Sequence, residues 1–324
     1  MKVTVDSTDH GKRVDKFVEL KLKDMGFKQV TRSMIKDDIA QGVDVNGTEA
    51  NPSYRLKVGD ILEINRGYWE EFFESKDFSE DIEPEKGDLN ILFEDNDLIV
   101  LFKPKGLVVH PGVGNRDGTL ANYLKYYLQS KGEFDNSMDR AGIVHRLDKG
   151  VSGLMVVAKN KVVQEKLKKQ FAQREVEKIY MADVEKFKSS ELSLIEPKKI
   201  DKAIKQIEEG EINYDNWFEA KGYIGRDKRD RYKMVFKLYE FGGSKPAKSY
   251  ILPLKDNKLL IRIVTGRMHQ IRATLKYYGY YIKGDTLYNP NTRGNNSDEI
   301  MLESIYLSFK HPVTEEKISF VNID

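Results

Sequence analysis

The sequence predicts an α+β protein of two domains. Short apolar runs bounded by polar turn residues recur along most of the chain and are typical of β-strands. Segments with helical spacing of apolar residues are fewer, which favours a mixed, mostly antiparallel sheet with flanking helices. At 324 residues the chain exceeds the usual size of a single domain. We therefore expect a small α+β domain followed by a larger one.

Residues 1–66 predict the small domain. An amphipathic segment follows Arg13, Thr31 is placed to cap a short second helix, and Asn46-Gly47 is the strongest short signal for a hairpin turn. Basic side chains are left to the surface of these helices at Arg13, Lys16, Arg32 and Lys36. A group of like charges is usually a solvated face, so this pattern alone does not establish a binding surface.

The segment at residues 67–88 combines acidic and aromatic residues, and we interpret it as an interdomain linker. Residues 89–324 predict the larger domain, in which Asn160 caps a helix and residues 268–277 form another. Strands are expected at residues 92–93, 98–102, 154–158, 179–184, 247–252, 258–263 and 305–309. Residues 186–222 are unusually polar with isoleucines at intervals, and we interpret them as an insertion of unknown purpose.

The composition narrows the class of function. Lys and Arg number 54 against 52 Asp and Glu, a formal net charge of +2, so any attraction to nucleic acid must come from local patches. The absence of cysteine excludes a disulfide framework, a Cys-ligated zinc site, an iron–sulfur cluster and a Cys nucleophile. No signal-peptide core is evident, and no apolar run approaches the ~18 residues of a spanning helix. We expect a cytoplasmic protein without a membrane partner.

One carboxylate stands out at residues 142–159, which read Gly-Ile-Val-His-Arg-Leu-Asp-Lys-Gly-Val-Ser-Gly-Leu-Met-Val-Val-Ala-Lys. The acid, Asp148, lies between two basic residues and just before a small-residue turn and an apolar strand. Alone, an Asp in such a turn is usually a capping residue that bonds its own backbone. The whole run, however, resembles the signature of the RluA-type pseudouridine synthases, His-Arg-Leu-Asp followed by a Ser-Gly-Leu turn. This resemblance makes Asp148 the candidate catalytic residue.

Further segments extend the resemblance across nearly the whole chain. Residues 265–272, Thr-Gly-Arg-Met-His-Gln-Ile-Arg, resemble the family's Gly-Arg-x-His-Gln-Ile-Arg motif. The Gly-Asp-x-x-Tyr pattern at residues 284–288 and His311-Pro312 resemble motifs of the scaffold around the site. The N-terminal helices and the Val-Asn-Gly turn are similar to the S4 RNA-binding domain. The chain thus resembles enzymes of the RluC and RluD kind with an N-terminal S4 domain.

The resemblance implies a specific reaction. A pseudouridine synthase detaches uracil from C1′ of its ribose, turns the base, and rejoins it through C5 with loss of the C5 proton. Carboxylates can attack an anomeric carbon, as in retaining glycosidases, so Asp148 is the expected nucleophile or base. Whether it attacks C1′ or removes the C2′ proton stays open. The reaction implies no metal, no redox cofactor and no nucleotide cofactor.

Two more residues are implied to be catalytic. Arg267 matches the first arginine of the family motif, which pairs with the catalytic Asp and would keep Asp148 ionised and oriented. Taken alone, Arg267 would be interpreted as an ordinary ion pair at a helix start. Tyr180 matches the strand tyrosine that stacks on the target base, and the resemblance implies that it assists loss of the C5 proton. A lone strand tyrosine is usually half-buried packing.

The resemblance also implies how the target is reached. Uracil in folded RNA must be flipped, and Arg146 matches the arginine that fills the vacated space, with surface phosphate binding as the alternative. The residues expected to bind the substrate beside it are His145, Leu147 and Ile271. We expect no metal site, because ligand-spaced pairs are lacking among the candidate histidines His110, His145 and His269.

For the N-terminal segment, the S4 resemblance implies phosphate contacts that hold structured RNA by its backbone. The expected contact residues are Arg13, Lys16, Arg32, Ser33 and Lys36. The leading hypothesis is a monomeric RNA pseudouridine synthase that acts on large-subunit (23S) ribosomal RNA. Two alternatives are a transfer RNA enzyme of the same chemistry and a non-catalytic RNA-binding or ribosome-assembly factor.

Overall fold

The structure, a computed structural model, describes residues 1–27, 30–75, 82–111, 115, 117–227, 229–230, 233–292 and 299–323. The chain divides into two compact units, Met1–Ser79 and Glu80–Asp324. Each unit has its own buried apolar cluster. No helix in the described ranges has the length and apolar character needed to cross a membrane.

The N-terminal unit combines a four-stranded antiparallel sheet, in the order β1-β4-β2-β3, with short helices. Its elements are β1 (Lys2–Thr4), α1 (Val14–Asp24), α2 (Arg32–Ile35), α3 (Ile39–Gly42), β2 (Val43–Val45), β3 (Thr48–Glu49), β4 (Ile61–Ile64) and α4 (Arg66–Ser75). The predicted hairpin is confirmed, because Asn46 and Gly47 join β2 to β3 with φ values of 53° and 78°. Such left-handed values are what a tight two-residue turn requires.

Helix α4 corrects the predicted start of the linker. Trp69 and Phe72 are three residues apart, so they lie on one face of the helix. Both are buried in the apolar cluster of the N-terminal unit, and the Trp69 indole N–H donates to the Gly42 carbonyl at 3.1 Å. Residues 67–75 are therefore a packed helix of this unit, not a linker, and residues 76–81 lie outside the described part of the chain.

The second unit consists of one large sheet with helices packed against it. Its elements are β5 (Asn90–Glu94), β6 (Leu98–Lys103), α5 (Leu120–Ser130), β7 (Ser152–Ala158), α6 (Lys161–Gln173), β8 (Glu177–Lys186), α7 (Ile200–Glu208), β9 (Phe218–Arg226), β10 (Met234–Lys237), β11 (Lys245–Pro253), β12 (Lys258–Ile263), α8 (Gln270–Tyr277), β13 (Tyr280–Ile282), β14 (Leu302–Lys310) and β15 (Lys317–Val321). As predicted, Asn160 caps α6, accepting from the Val163 N–H at 2.9 Å.

Among the described residues, eleven strands form this sheet, with the path β10-β9-β11-β12-β8-β14-β7-β6-β5. Strand β13 is added beside β8, and β15 beside β14. Strands β14 and β7 run parallel, whereas the other pairs are antiparallel. The prediction of an α+β fold with a mixed, mostly antiparallel sheet is confirmed.

The parallel pair depends on Gly153, the second residue of β7. Its φ of 125° is a value that residues with a side chain rarely adopt, and a Cβ there would collide with the backbone of Ser304 on β14. Because residue 153 is glycine, β7 can pair closely with β14 directly after the Asp148 loop.

Successive side chains of β8 point to opposite faces of the sheet, and each face packs against its own apolar cluster. Tyr180 and Ala182 belong to the main cluster on one face, whereas Ile179 belongs to a second cluster on the other. Helix α7 covers that second face through Ala203 and Ile207, which are buried. The predicted insertion at 186–222 thus includes a packed helix, and its last residues form the start of β9.

Candidate active site

Asp148 lies in the loop that leads into β7. His145 Nε2 accepts from the Val156 N–H at 3.0 Å, and the Val151 N–H donates to the Asp148 carbonyl at 3.0 Å. These bonds fix the loop against the strand, and they place the Asp148 side chain, 27% exposed, at the wall of a cavity of about 540 Å³. The residues that the sequence singled out and that line this cavity are His145, Arg146, Leu147, Asp148, Tyr180, Arg267 and Ile271.

The guanidinium that faces Asp148 belongs to Arg272. Its Nη1 donates to Asp148 Oδ2 at 3.1 Å. Arg267, which the motif predicted for this ion pair, instead donates from Nε to the Pro246 carbonyl at 3.0 Å. The prediction is corrected because α8 begins at Gln270, which puts Arg272 within the helix on its buried side and leaves Arg267 before it.

Asp285 fixes the orientation of Arg272. Its carboxylate accepts from Arg272 Nε at 2.8 Å and from Nη2 at 2.7 Å, a bidentate pair. Asp285 is fully buried and also accepts from the N–H groups of Leu287 and Tyr288. The Nη1 group of Arg272 is thereby left for Asp148. The 284–288 segment, expected to be scaffold only, positions the group that contacts Asp148.

Tyr180 reaches the cavity from β8 and is 5% exposed. Burial raises the pKa of its phenol above the usual range; the Ser304 hydroxyl opposes this rise, and the charge of Asp148 adds to it. The phenol therefore keeps its proton at neutral pH. A neutral phenol can stack on a base or donate a hydrogen bond, but it is a poor acceptor for a proton from C5.

The two histidines of the cavity are neutral hydrogen-bonding groups. Burial, together with the charge of Lys178, lowers the pKa of His145 to about 3, and its ring stacks on Phe171 with centroids 4.7 Å apart. Burial also lowers the pKa of His269, whose Nδ1 lies 3.0 Å from the Tyr288 hydroxyl. Nε2 of His269 is 3.8 Å from the Asp148 carboxylate.

A buried lysine that sequence reasoning missed supports the loop after Asp148. Lys103 Nζ donates to the carbonyls of Pro104 and Leu107, both at 2.8 Å, and of Lys149 at 3.3 Å. Burial lowers the pKa of Lys103 to about 8, and the charge of Asp148 opposes this shift. The sequence does carry a signal for this residue, since Lys103 ends an apolar strand. A lysine in such a position is expected to be buried with hydrogen-bond partners, because lysine is rarely buried without them.

In the described part of the chain, Asp95, Asp97 and His311 place ligand-type atoms within 4.8 Å of one another. Both ring nitrogens of His311 are engaged. Nε2 lies 2.9 Å from Asp95 Oδ2, and Nδ1 accepts from the N–H groups of Val313 and Thr314. The cluster therefore joins the β5–β6 turn to the end of β14, and the imidazole has no nitrogen left for a cation.

In the N-terminal unit, two arginines of the predicted RNA surface converge on one acid. Arg13 donates to both carboxylate oxygens of Asp15, at 3.1 and 2.7 Å, and Arg32 Nε lies 3.7 Å from Asp15 Oδ2. Asp15 is fully buried, so the acid holds the two guanidinium groups beside each other. The Ser33 side chain lies outside the described part of the structure. The remaining predicted residues are exposed lysines, Lys16 and Lys36.

In the second unit, a carboxylate paired with a guanidinium borders a largely apolar cavity whose other charged side chains are cations, an arrangement typical of an enzyme site. Residues 97–277 match the RNA pseudouridylate synthase family. The chain is 31% identical to the uncharacterized RNA pseudouridine synthase YlyB of Bacillus subtilis, with 98% of this chain and 92% of that protein covered. It is 30% identical to the ribosomal large subunit pseudouridine synthase D of Vibrio cholerae, with 98% and 89% covered.

The fold is also that of a solved structure, human RNA pseudouridylate synthase domain containing 1. The TM-score is 0.52 at 22% identity, with 74% of this chain and 86% of that chain covered. The chain belongs to the RNA pseudouridylate synthase family. It is an enzyme that isomerises uridine in RNA, and the predicted RluA-type chemistry is confirmed.

Proposed function

We propose that this enzyme converts specific uridines of large-subunit (23S) ribosomal RNA to pseudouridine. The observation that carries the proposal is the Asp148–Arg272 pair at the cavity wall, since the chemistry needs a carboxylate near the anomeric carbon. The choice of RNA is supported by the likeness to the Vibrio cholerae enzyme, whose name assigns it to the ribosomal large subunit.

In the proposed reaction, the N1–C1′ bond of the target uridine breaks and its electron pair passes to uracil. A C5–C1′ bond then forms, C5 loses its proton, and N1 gains one. Asp148 either attacks C1′ or removes the C2′ proton, and Arg272 stays paired with the carboxylate in either course. The cavity of about 540 Å³ leaves room for the detached base to turn without escaping.

Other residues that line the cavity would bind the base and hold the flipped nucleotide. Leu147 and Ile271, 5% and 6% exposed, would flank the uracil ring with apolar surface. Tyr180, which keeps its proton, would stack on the base and donate a hydrogen bond. Arg146 is exposed at the border of the cavity and would fill the space left by the flipped nucleotide. His145 would hold the loop that carries both Arg146 and Leu147.

Arg267 receives a different role from the one its motif predicts. Its side chain lines the cavity, and its Nε bond to the Pro246 carbonyl occupies only one donor. The terminal nitrogens make no hydrogen bond to any residue that the structure describes, so they can bind an RNA phosphate. Arg267 would therefore contribute to substrate affinity rather than to the reactivity of Asp148.

We infer that residues 1–66 bind RNA as an S4-like domain through Arg13, Lys16, Arg32, Ser33 and Lys36. The inference is supported by the pairing of two arginines on Asp15, which orders their guanidinium groups for phosphate contacts. A second linked binding surface raises the effective concentration of the active site near its target. A ribosomal substrate would locate the protein in the cytoplasm. We expect a monomer.

The test is release of tritium from C5-labelled uridine in separate ribosomal and transfer RNA pools. The purified protein is compared with its Asp148→Ala variant. Asp148-dependent release from unmodified large-subunit ribosomal RNA supports the proposal. Release from transfer RNA alone would identify transfer RNA as the substrate instead. No release from any pool, including ribosomal precursors, would favour a non-catalytic role in RNA binding or ribosome assembly.

A further inference from the structure

The lining of the active-site cavity includes a lysine for which the proposed reaction has no use. Lys178 lies on β8 two residues before Tyr180, so both side chains leave the strand on the same face. Lys178 lines the cavity together with Phe171 and Arg174. At about 540 Å³ the cavity falls within the range of drug-sized sites, about 300–1,000 Å³, and can hold more than a single-ring base.

In the described part of the chain, the Lys178 ammonium has no anionic partner. It makes no hydrogen bond or ion pair with any described residue, and its neighbour is the Phe171 ring, whose centroid is 5.1 Å away. His145 is close enough to be influenced by the lysine charge, but it is neutral and does not compensate it. Burial lowers the pKa of Lys178 to about 8, so the amine is still mainly protonated at neutral pH.

The rest of the cavity wall is also short of negative charge. Of the described residues that line it, Asp148 is the one acid, and Arg272 already pairs with it. A partly buried cation without a counterion is unfavourable in the free enzyme, and binding an anion relieves this cost. RNA carries one such anion for each nucleotide, its phosphodiester. The other cations on the wall are Arg146, Arg174 and Arg267.

We propose that Lys178 binds the phosphodiester that adjoins the flipped uridine, with Arg174 as the second cation of this subsite. The inference rests on the proposed function, because it takes RNA with a flipped uridine as the ligand. The cation–π contact with Phe171 holds the ammonium in the cavity without neutralising it. The subsite fixes the RNA backbone beside the target while Asp148 acts at the ribose.

The first test compares Lys178→Met, which removes the charge from a long side chain, with Lys178→Arg. The matched control is Lys169→Met on the exposed side of α6. All proteins also carry Asp148→Asn so that RNA is bound but not converted. Binding of an unmodified large-subunit ribosomal RNA transcript is measured over a series of KCl concentrations.

Lys178→Met should bind about tenfold more weakly, the effect of removing one charge-assisted hydrogen bond. The slope of log affinity against log salt should become shallower by about 0.7, the value for one phosphate of a single strand. Lys178→Arg should keep most of the affinity. Equal affinities and slopes for Lys178→Met and the Lys169→Met control would overturn the proposal.

Phosphate ethylation of the transcript then identifies the contacted atom. Randomly ethylated RNA is separated into bound and free fractions, and the positions that block binding are mapped for each protein. The parent and Lys169→Met proteins should show interference at a phosphate next to the uridine that the active enzyme modifies, and Lys178→Met should not. The same interference in all three proteins would assign Lys178 to the base or to another role and would overturn the proposal.

Thermal unfolding separates substrate binding from support of the fold. Because Lys178→Met removes a partly buried cation without a counterion, its Tm should equal or exceed that of the parent. A lower Tm together with weaker binding would overturn the proposal. A lack of Asp148-dependent tritium release from every RNA pool would count against the proposed function, whereas normal release with an indifferent Lys178→Met variant would count against this inference alone.

Discussion

Arg272 donates from Nη1 to Asp148 Oδ2 at 3.1 Å, across 124 positions of the sequence. The opposite side of the same guanidinium is held by the buried Asp285 through two hydrogen bonds. Arg272 is therefore shared between two carboxylates, one of which is fixed by backbone N–H groups and one of which borders the cavity. The orientation of the proposed catalytic group depends on this arrangement.

Separate replacement of the two motif arginines should give different kinetics. Arg272→Gln removes the donor to Asp148, so kcat for tritium release should fall by about 100-fold or more, the order seen when one preorganised donor is lost. Arg267→Gln should mainly raise KM, because its guanidinium does not contact Asp148. Steady-state kinetics on unmodified ribosomal RNA, with circular dichroism as the control for folding, makes the comparison. Equal losses of kcat would contradict the assigned roles.

Asp285→Asn should destabilise the second unit. The substitution leaves the buried Arg272 guanidinium without its bidentate partner, and the free energy of unfolding should fall by about 3–5 kcal/mol. Urea denaturation measures this loss. The control is the double variant with Arg272→Gln, which should lose less than the sum of the two single variants because both residues belong to one pair. Additive losses would show that the pair is not coupled.

Acid should destabilise the protein through His145. Its pKa is about 3 in the folded protein against 6.5 for an unperturbed histidine, so the unfolded chain binds the extra proton first as the pH falls. This group's contribution is complete above pH 6.5 and is lost below it, by about 2 kcal/mol between pH 7.5 and pH 5. Urea denaturation at both pH values measures the loss. His145→Gln, which keeps an acceptor for the Val156 N–H, should show a smaller loss; an identical loss would refute this cause.

Neutralising the N-terminal cations should weaken RNA binding without changing kcat. Replacing Arg32, Lys16 and Lys36 by Gln removes charges that are exposed, so the salt dependence of binding should become shallower by about 0.7–0.9 for each phosphate that the protein no longer neutralises. The control is Lys23→Gln, a lysine of α1 outside the predicted set. Binding to ribosomal RNA over a salt series checks this outcome. A salt-dependence slope equal to that of the control would show that these residues do not contact RNA phosphates.

The parts of the fold that were predicted correctly depend on local sequence. The Asn46-Gly47 turn, the strands on either side of residues 95–97 and the Asn160 cap each follow from neighbouring residues. The linker prediction was wrong where Trp69 and Phe72 form a helix, because their acidic neighbours conceal an apolar face that has meaning only beside a core. The packing of residues 186–222 could not be predicted for the same reason. Helix α7 is amphipathic, but no local residue shows that a face of the sheet needs to be covered.

By itself, the sequence determined the α+β class, the chemistry of the family and the choice of Asp148 as the candidate catalytic residue. These depend on contiguous residues, whose turn, strand and motif patterns can be recognised without knowledge of distant neighbours. The tertiary structure alone decided which arginine pairs with Asp148, which lysine supports the loop after Asp148, and which lysine borders the cavity. The physical reason is that the energy of a buried charge is set by the groups packed around it, and here these come from strands and turns far apart in the chain.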